Sequence, residues 1–354
     1  MLLHLDSGQY ADGCRIPRPP SMTANESSRT RPAPPSATFA SLGERGLIRR
    51  FRSALPARPD VLVGAGDDCA VVAWSDAEDL VLKSDPVMEG HHFLPGTDLR
   101  RVGRKALGRV LSDFASMGAE PRWALVDLVA PAETPAEAAD ALYEGIGALA
   151  REHGVAVVGG DTSRGDALEL HVFAAGAVPH GSAMLRSLAR PGDSLWVTGS
   201  LGRSFESGRH LDFPPRLREG AWLRERGRRA CIDLSDGLAS ELWHLARESG
   251  VRLVLDPAAV PLSETCAAMP DPIAHALGDG EDFELLFTVP PDDAGFADAF
   301  RLAFPGTRCT RIGTVGEPLA GGLVLCGPGP GARELPQGGF DHFETATTTG
   351  ESER

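Results

Sequence analysis

The chain reads as an α/β protein made of two units. Apolar residues switch repeatedly between period two and period three to four, so strands alternate with helices. A turn-rich stretch ending in Pro191-Gly192-Asp193 interrupts that alternation near the middle. The 354 residues suit two domains at roughly 150 residues each. The expected units are 41–180 and 181–344, with no solenoid repeat.

Taken in order, residues 1–40 carry Pro17-Arg18-Pro19-Pro20 and Arg31-Pro32-Ala33-Pro34-Pro35 among Ser and Thr. Such a segment buries too little apolar surface to order itself, so a disordered extension is expected; a start codon assigned too far upstream accounts for it equally well. A short amphipathic helix begins near Ser41 and runs through Leu47, Ile48 and Phe51. Strands are expected at 60–63, 70–74 and 80–83. A helix over 99–117 places Leu107, Val110, Leu111 and Phe114 on one face, and Gly118 stops it. Residues 123–129 read as a buried strand. An alanine-rich helix over 135–152, closed by Gly154, leads into a strand at 155–158, and 168–175 alternates as another.

In the second unit, strands are expected at 194–198, 229–234, 252–255 and 285–289. A helix over 238–248 puts Leu238, Leu242 and Leu245 on one face, with Ser249-Gly250 as its cap. Residues 345–354 are polar and expected to fray.

Acidic residues number 49 against 35 basic, a formal charge of −14. That balance argues against a nucleic-acid partner, which calls for a concentrated basic face. It also makes direct phosphate binding difficult unless metal ions bridge. Six scattered cysteines without a CxxC pair read as reduced thiols. No apolar run reaches the roughly 18 residues of a membrane span, and the start has neither a basic leader nor a sustained apolar core, so a cytoplasmic protein is expected.

The chemistry sits on aspartates offered from tight turns: Gly64-Ala65-Gly66-Asp67-Asp68, Ser84-Asp85, Ser112-Asp113, Gly159-Gly160-Asp161 and Asp233-Leu234-Ser235-Asp236-Gly237. Carboxylate oxygens suit hard divalent cations, and Mg²⁺ commonly shares one or two carboxylates with substrate phosphates. Asp233 and Ser235 share a strand face, and Asp236 follows at the turn into a helix, where a simple N-cap is the plain structural alternative. Of the adjacent Asp67 and Asp68, a strand start lets only one face the site, and Asp68 is favoured. Asp85 and Asp161 stand at strand ends, where open α/β sheets put ligands. Asp113 lies inside a helix beside its apolar face, so it needs a partner, either a metal or an arginine. His92 could meet a substrate phosphate or ring, or be structural. No GxxxxGK[ST] loop, kinase HRD/DFG set or GxSxG elbow occurs. Metal-assisted phosphoryl transfer from a nucleotide triphosphate is the favoured chemistry.

With GAGDDCAVV, KSDPVMEGHHF, KALGRVLSDFASMGAEPRW, GGDTSRG, RPGDSLWVTGSLG, CIDLSDGLASEL, GDGEDFELLFTV and GGFDHF in this order, the chain resembles the thiamine-monophosphate kinase family. That family shares a superfamily with aminoimidazole ribonucleotide synthetase, selenophosphate synthetase and the hydrogenase maturation factor HypE. The resemblance covers roughly residues 41–343. It implies a two-domain PurM-like fold whose N-terminal domain joins a partner's in a dimeric barrel. It implies ATP and thiamine monophosphate as substrates, several Mg²⁺ ions, and direct in-line transfer of the γ-phosphoryl group without a covalent enzyme intermediate. Carried over, the metal ligands fall on Asp68, Ser84, Asp85, Asp113, Asp161, Asp233 and Asp236. Nucleotide contacts fall on Gly160, Asp161, Arg186 and Ser235, with Arg186 also a clamp for transition-state charge. Thiamine-phosphate contacts fall on His92, Glu281 and Phe340. Lys83 stands where the family usually has Ser or Thr, Val110 where Asn is common, and Asp279 and Phe283 alter the acidic loop pattern. The segment 202–231 is shortened. Two rival readings are a superfamily enzyme with a different acceptor and a catalytically silent nucleotide-binding homologue.

Overall fold

The computed structural model describes residues 38–340 apart from 53, 57, 228, 229 and 328. Most of the extension expected over 1–40, and the tail expected over 345–354, lie outside the described residues. Helix α1 (Phe39–Arg52) breaks at Gly43, and β1 (Val61–Val63), β2 (Ala70–Ala73) and β3 (Glu78–Met88) follow. Next come α2 (Leu99–Ser116), β4 (Glu120–Ala130), α3 (Ala136–His153), β5 (Ala156–Gly159), β6 (Thr162–Arg164) and β7 (Glu169–Pro179). The strands form one sheet in the order β1-β2-β3-β7-β4-β5, and β6 continues the β5 edge along β4. Pairing is antiparallel except where β5 and β6 join β4, because α3 supplies the crossover that parallel strands need.

Helix α2 starts where the Asp98 carboxylate accepts the Arg100 N–H and ends before Gly118 at φ 65°. Leu107, Val110, Leu111 and Phe114 are all buried, as their spacing requires. Helices α2 and α3 meet backbone to backbone. A Cβ at Gly103 would lie 2.0 Å from the Leu142 carbonyl oxygen, and one at Gly145 would lie 1.9 Å from that of Arg100. No larger residue fits at either crossing point without moving a helix.

Strand β4 departs from the sequence expectation. Ala124 and Val126 are buried against the helices, but Trp123 and Leu125 are exposed on the other face. Both faces are apolar, so the segment reads as buried although only one side is covered within the chain.

The second half carries β8 (Ser194–Thr198), α4 (Arg209–Asp212), α5 (Leu217–Glu225), β9 (Cys231–Asp233), α6 (Leu238–Ser249) and β10 (Val251–Leu255). It continues through α7 (Glu264–Ala267), α8 (Pro272–Gly278), β11 (Leu285–Val289), α9 (Phe296–Ala303), β12 (Cys309–Pro318), β13 (Leu323–Cys326) and β14 (Arg333–Glu334). The second sheet has the order β14-β13-β10-β12-β8-β11-β9. Strand β11 is buried on both faces. Leu286 packs into the core under α6, while Leu285 and Phe287 join the core that also holds α2.

One hydrophobic core therefore runs from the first sheet through α2 into the second half. The 202–231 segment makes this contact: Phe213 packs over Gly108, and Gly220 lies against the Ala115 carbonyl. Sequence reading did not anticipate α4, α5, α7 to α9, β6 or β12 to β14, which are short, glycine-rich or without a clear period. Among the described residues no helix is long and apolar enough to cross a membrane.

Candidate active site

The C-terminal half of α2 is where distant parts of the chain converge. Asp113 projects from it, Asp68 arrives from the turn before β2, and Asp233 arrives from the end of β9. One carboxylate oxygen from each lies within 4.8 Å of the others, and all three residues are buried. Hydrogen bonds fix the set. The Ser112 hydroxyl donates to Asp233 Oδ2 at 2.7 Å, and the Ser116 hydroxyl donates to Asp68. The Arg186 guanidinium donates to Asp68 Oδ1, with Nε at 2.9 Å. Three oxygen donors that close, from acceptor-only groups, match the demand of a hard divalent cation.

The electrostatics agree. Burial, then repulsion from Asp68, pushes the Asp233 carboxyl up to about 7. Burial and the Asp68 charge likewise push Asp67 up to about 7, against the pull of Arg186. Burial holds Asp113 well above the ordinary carboxylate range, although Lys83 pulls the other way. The cluster thus carries more negative charge than the chain's own cations balance, which is the condition a bound cation relieves.

A cavity of about 620 Å³ opens beside the cluster, lined among others by Asp67, Asp85, Asp113, Asp233, Ser235 and Asp236. Arg109 and Arg186 reach its wall, as do α1 and the chain near Phe340. At the turn into α6 the cap is Gly237 at φ 114°, and no side chain caps the helix. Asp236 is therefore not an N-cap. Its N–H donates to buried Glu241 at 2.9 Å, and its carbonyl accepts the Phe340 N–H at 3.0 Å. A Cβ at Gly237 would meet the Leu277 carbonyl oxygen at 2.7 Å, so this turn requires glycine twice over.

The other sequence candidates fall into three places. Glu281 lies behind the cavity wall, with Arg109 Nη1 donating to Oε1 at 2.9 Å and the Lys105 ammonium on Oε2. His92 is buried close by: its Nδ1 accepts the Met88 N–H at 3.1 Å, and its carbonyl accepts from Lys105 at 2.6 Å. Phe340 is half-exposed on the rim. Gly160 and Asp161 lie elsewhere, exposed between β5 and β6 on the β4 edge, where Asp161 accepts from the Ser163 hydroxyl at 3.2 Å.

Ser84 is not brought to the cluster either. Alternation along β3 turns Lys83 and Asp85 toward the cavity and Ser84 to the opposite face, beside Leu82 and Trp123. The partner that Asp113 requires is Lys83, whose Nζ lies 2.7 Å from Oδ1, not an arginine.

Asp67, Lys105 and Arg109 were missed as site residues. Asp67 is not turned away: it lines the cavity, and its Oδ2 accepts the Arg186 N–H at 3.2 Å. Lys105 and Arg109 had a readable signal. With Arg101 and Asp113 they recur every fourth residue along the helix, a charged stripe at helical period on a helix that also carries Arg100 and Arg104. Arg109 Nε has no hydrogen-bond partner among the described residues.

A family model described as "AIR synthase related protein, N-terminal domain" matches residues 66–178. The thiamine-monophosphate kinase of Escherichia coli (strain K12) is 35% identical over 330 residues, covering 86% of this chain and 99% of that protein. The thiamine-monophosphate kinase of Rhodopirellula baltica is 36% identical over 284 residues, 76% of this chain and 89% of that one. Among solved structures, "AaThiL complexed with AMPPCP and TMP" superposes with a TM-score of 0.75 at 29% identity, over 87% of this chain and all of that one. A chain of the "HypE-HypF complex", at 19% identity and TM-score 0.65 over 82% of this chain and 99% of that one, is similar in fold alone.

Proposed function

The chain belongs to the thiamine-monophosphate kinase family, and from that premise we propose that it transfers the γ-phosphoryl group of ATP to thiamine monophosphate, giving thiamine diphosphate and ADP. One observation carries the reading to the chemistry. Asp68, Asp113 and Asp233, 165 residues apart at the extremes (233 − 68), meet within 4.8 Å beside a cavity large enough for a nucleotide tail. A loose phosphoryl transition state needs charge neutralisation and alignment more than covalent help.

In this proposal Asp68, Asp85, Asp113, Asp233 and Asp236 hold Mg²⁺ ions. The ions supply charge neutralisation along the triphosphate and polarise the transferring group. Arg186 and Arg109 present guanidinium donors to phosphate oxygens, a geometry that favours bidentate contact. Ser235 and Arg186 bind the nucleotide side. His92, Glu281 and Phe340 bound the thiamine-phosphate side, with Glu281 acting through Lys105 and Arg109 and Phe340 offering its ring face. Gly160 and Asp161 enter only through the family resemblance, and Ser84 has only its main-chain carbonyl to offer.

The two sheets define proposed domains at 41–180 and 181–344. We assign the exposed face of the first sheet to a second copy of the chain. Leu82, Trp123, Leu125, Val158 and Phe173 form a nearly wholly apolar groove there, as a barrel between two protomers requires. The proposed location is the cytoplasm, where ATP is available.

Incubation with ATP, Mg²⁺ and thiamine monophosphate, followed by chromatography of thiamine diphosphate, tests the reading. Product that requires all three supports it. ATP binding without product supports a silent homologue, and turnover with another phosphorylated acceptor alone supports the rival enzyme.

A further inference from the structure

Lys83 is, among the described residues, the one lysine on the cavity wall, and the chemistry proposed above does not use it. Strand alternation sets it beside Asp85 on the same face, and α2 brings Asp113 over both. Nζ lies 2.7 Å from Asp113 Oδ1 and 3.8 Å from Asp85 Oδ2.

We infer that the Lys83 ammonium is a resident cation that occupies the place of a divalent ion between Asp85 and Asp113, so that this chain carries one fewer exchangeable metal than its carboxylates would allow. The argument is spatial. A Mg²⁺ bridging those carboxylates needs oxygens at about 2.0–2.1 Å, inside the space Nζ fills. A divalent ion and this side chain cannot share the gap. The Asp68–Asp113–Asp233 set remains for a freely exchanging ion. A tethered single charge also fixes Asp113 before any nucleotide arrives, leaving only part of the neutralisation to ions from solution. Lys83 is thus a positioning residue that sets metal stoichiometry.

This inference rests on the metal-dependent reading of the site, and ion counting separates the two. Bound Mn²⁺ is counted by electron paramagnetic resonance on the full chain, with and without a non-hydrolysable ATP analogue. The comparison is wild type, Lys83→Ser and Lys83→Arg. Lys83→Ser is expected to bind one additional Mn²⁺ per chain and to gain more Tm on Mg²⁺ addition than wild type. Lys83→Arg is expected to keep the wild-type count. An unchanged count in Lys83→Ser overturns the inference alone, while no Mn²⁺ bound by any form overturns the metal reading with it. Should Lys83→Ser fail to fold, wild-type crystals soaked in Mn²⁺ decide the matter. An anomalous peak bridging Asp85 and Asp113 overturns the inference, and a peak confined to the Asp68–Asp113–Asp233 set supports it.

Discussion

In the absence of metal, the acidic cluster makes folding stability fall as pH rises through neutrality. Asp233 and Asp67 both titrate near 7 in the folded chain, far above the ordinary carboxylate value, because burial and the Asp68 charge disfavour ionisation. A raised carboxylate pKa means the folded state binds more protons than the unfolded state between those values. The stabilising contribution is therefore complete below the unfolded pKa and lost as pH climbs through the folded one. Between about pH 6.5 and 7.5, a group moving from about 3.8 to about 7 forfeits about 0.7 kcal/mol, so the pair forfeits about 1.4 kcal/mol. Asp113 adds to this in the same direction. Asp282, outside the cluster, is pushed up to about 7 by burial against the pull of Arg209 and adds to the loss in the same direction, while two other groups bound the window. His210, pressed down to about 4 by burial, acts oppositely below it. Lys105, lowered to about 8 by burial against the pull of Glu281, acts oppositely above it. Urea unfolding in EDTA at these two pH values should show a loss of about 1 kcal/mol or more toward the higher pH. Asp233→Asn should remove its share of the slope. Mg²⁺ should reverse the trend, since a cation binds the deprotonated cluster and releases protons. Stability that is flat or rising in EDTA, or a slope untouched by Asp233→Asn, would refute the reasoning.

Three further outcomes are expected. Asp68→Asn should lower kcat by about 100-fold or more, equivalent to about 2.7 kcal/mol of transition-state stabilisation. Its midpoint in urea should shift modestly, because relief of repulsion on Asp67, Asp113 and Asp233 offsets the lost Arg186 pair; wild-type turnover in this variant would remove the metal argument. Arg216→Ala should cost about 3–5 kcal/mol in urea unfolding, because it strips a two-pronged partner, at 2.7 Å on each oxygen, from the buried Glu284 carboxylate. The double substitution Trp123→Glu with Leu125→Glu should convert the proposed dimer to a monomer by sedimentation with unchanged far-UV circular dichroism, and a wild-type chain that sediments as a monomer would overturn the assignment of this face. A persistent dimer would place the interface elsewhere.

Much of the candidate site was legible because tight turns announce themselves. Turn residues beside Asp68 and Asp236 mark places where a carboxylate leaves regular structure, while Asp113 stands out as an aspartate inside a helix and Asp233 as one closing a strand, and three of these four share one buried cluster. What local pattern cannot supply is the direction of a side chain inside a long strand. Lys83-Ser84-Asp85 reads as the end of a strand, so Ser84 and Asp85 look like neighbours at a site. The ladder instead continues to Met88, and period two separates them onto opposite faces while joining Lys83 to Asp85. The stripe of Arg101, Lys105, Arg109 and Asp113 had a period that could have been read. Its meaning depends on Glu281, which lies 172 residues beyond Arg109 and whose approach no local pattern encodes.

Strand β4 shows the same limit from the other side. Trp123, Leu125 and their alternating partners Ala124 and Val126 are all apolar, so composition alone assigns both faces to an interior. The chain covers only one of them, with α2 and α3. A sequence records how much surface must leave water, but not which molecule removes it. A strand that reads as buried yet stands half-exposed is accordingly a statement about assembly as much as about folding, since covering a face this apolar returns about 25 cal/mol for each Å² withdrawn from water. The Trp123 and Leu125 substitutions therefore test more than an interface. They ask whether the excess hydrophobicity of β4 belongs to the protomer, in which case unfolding in urea shifts with the monomer still folded by itself, or to the pair, in which case only association is lost.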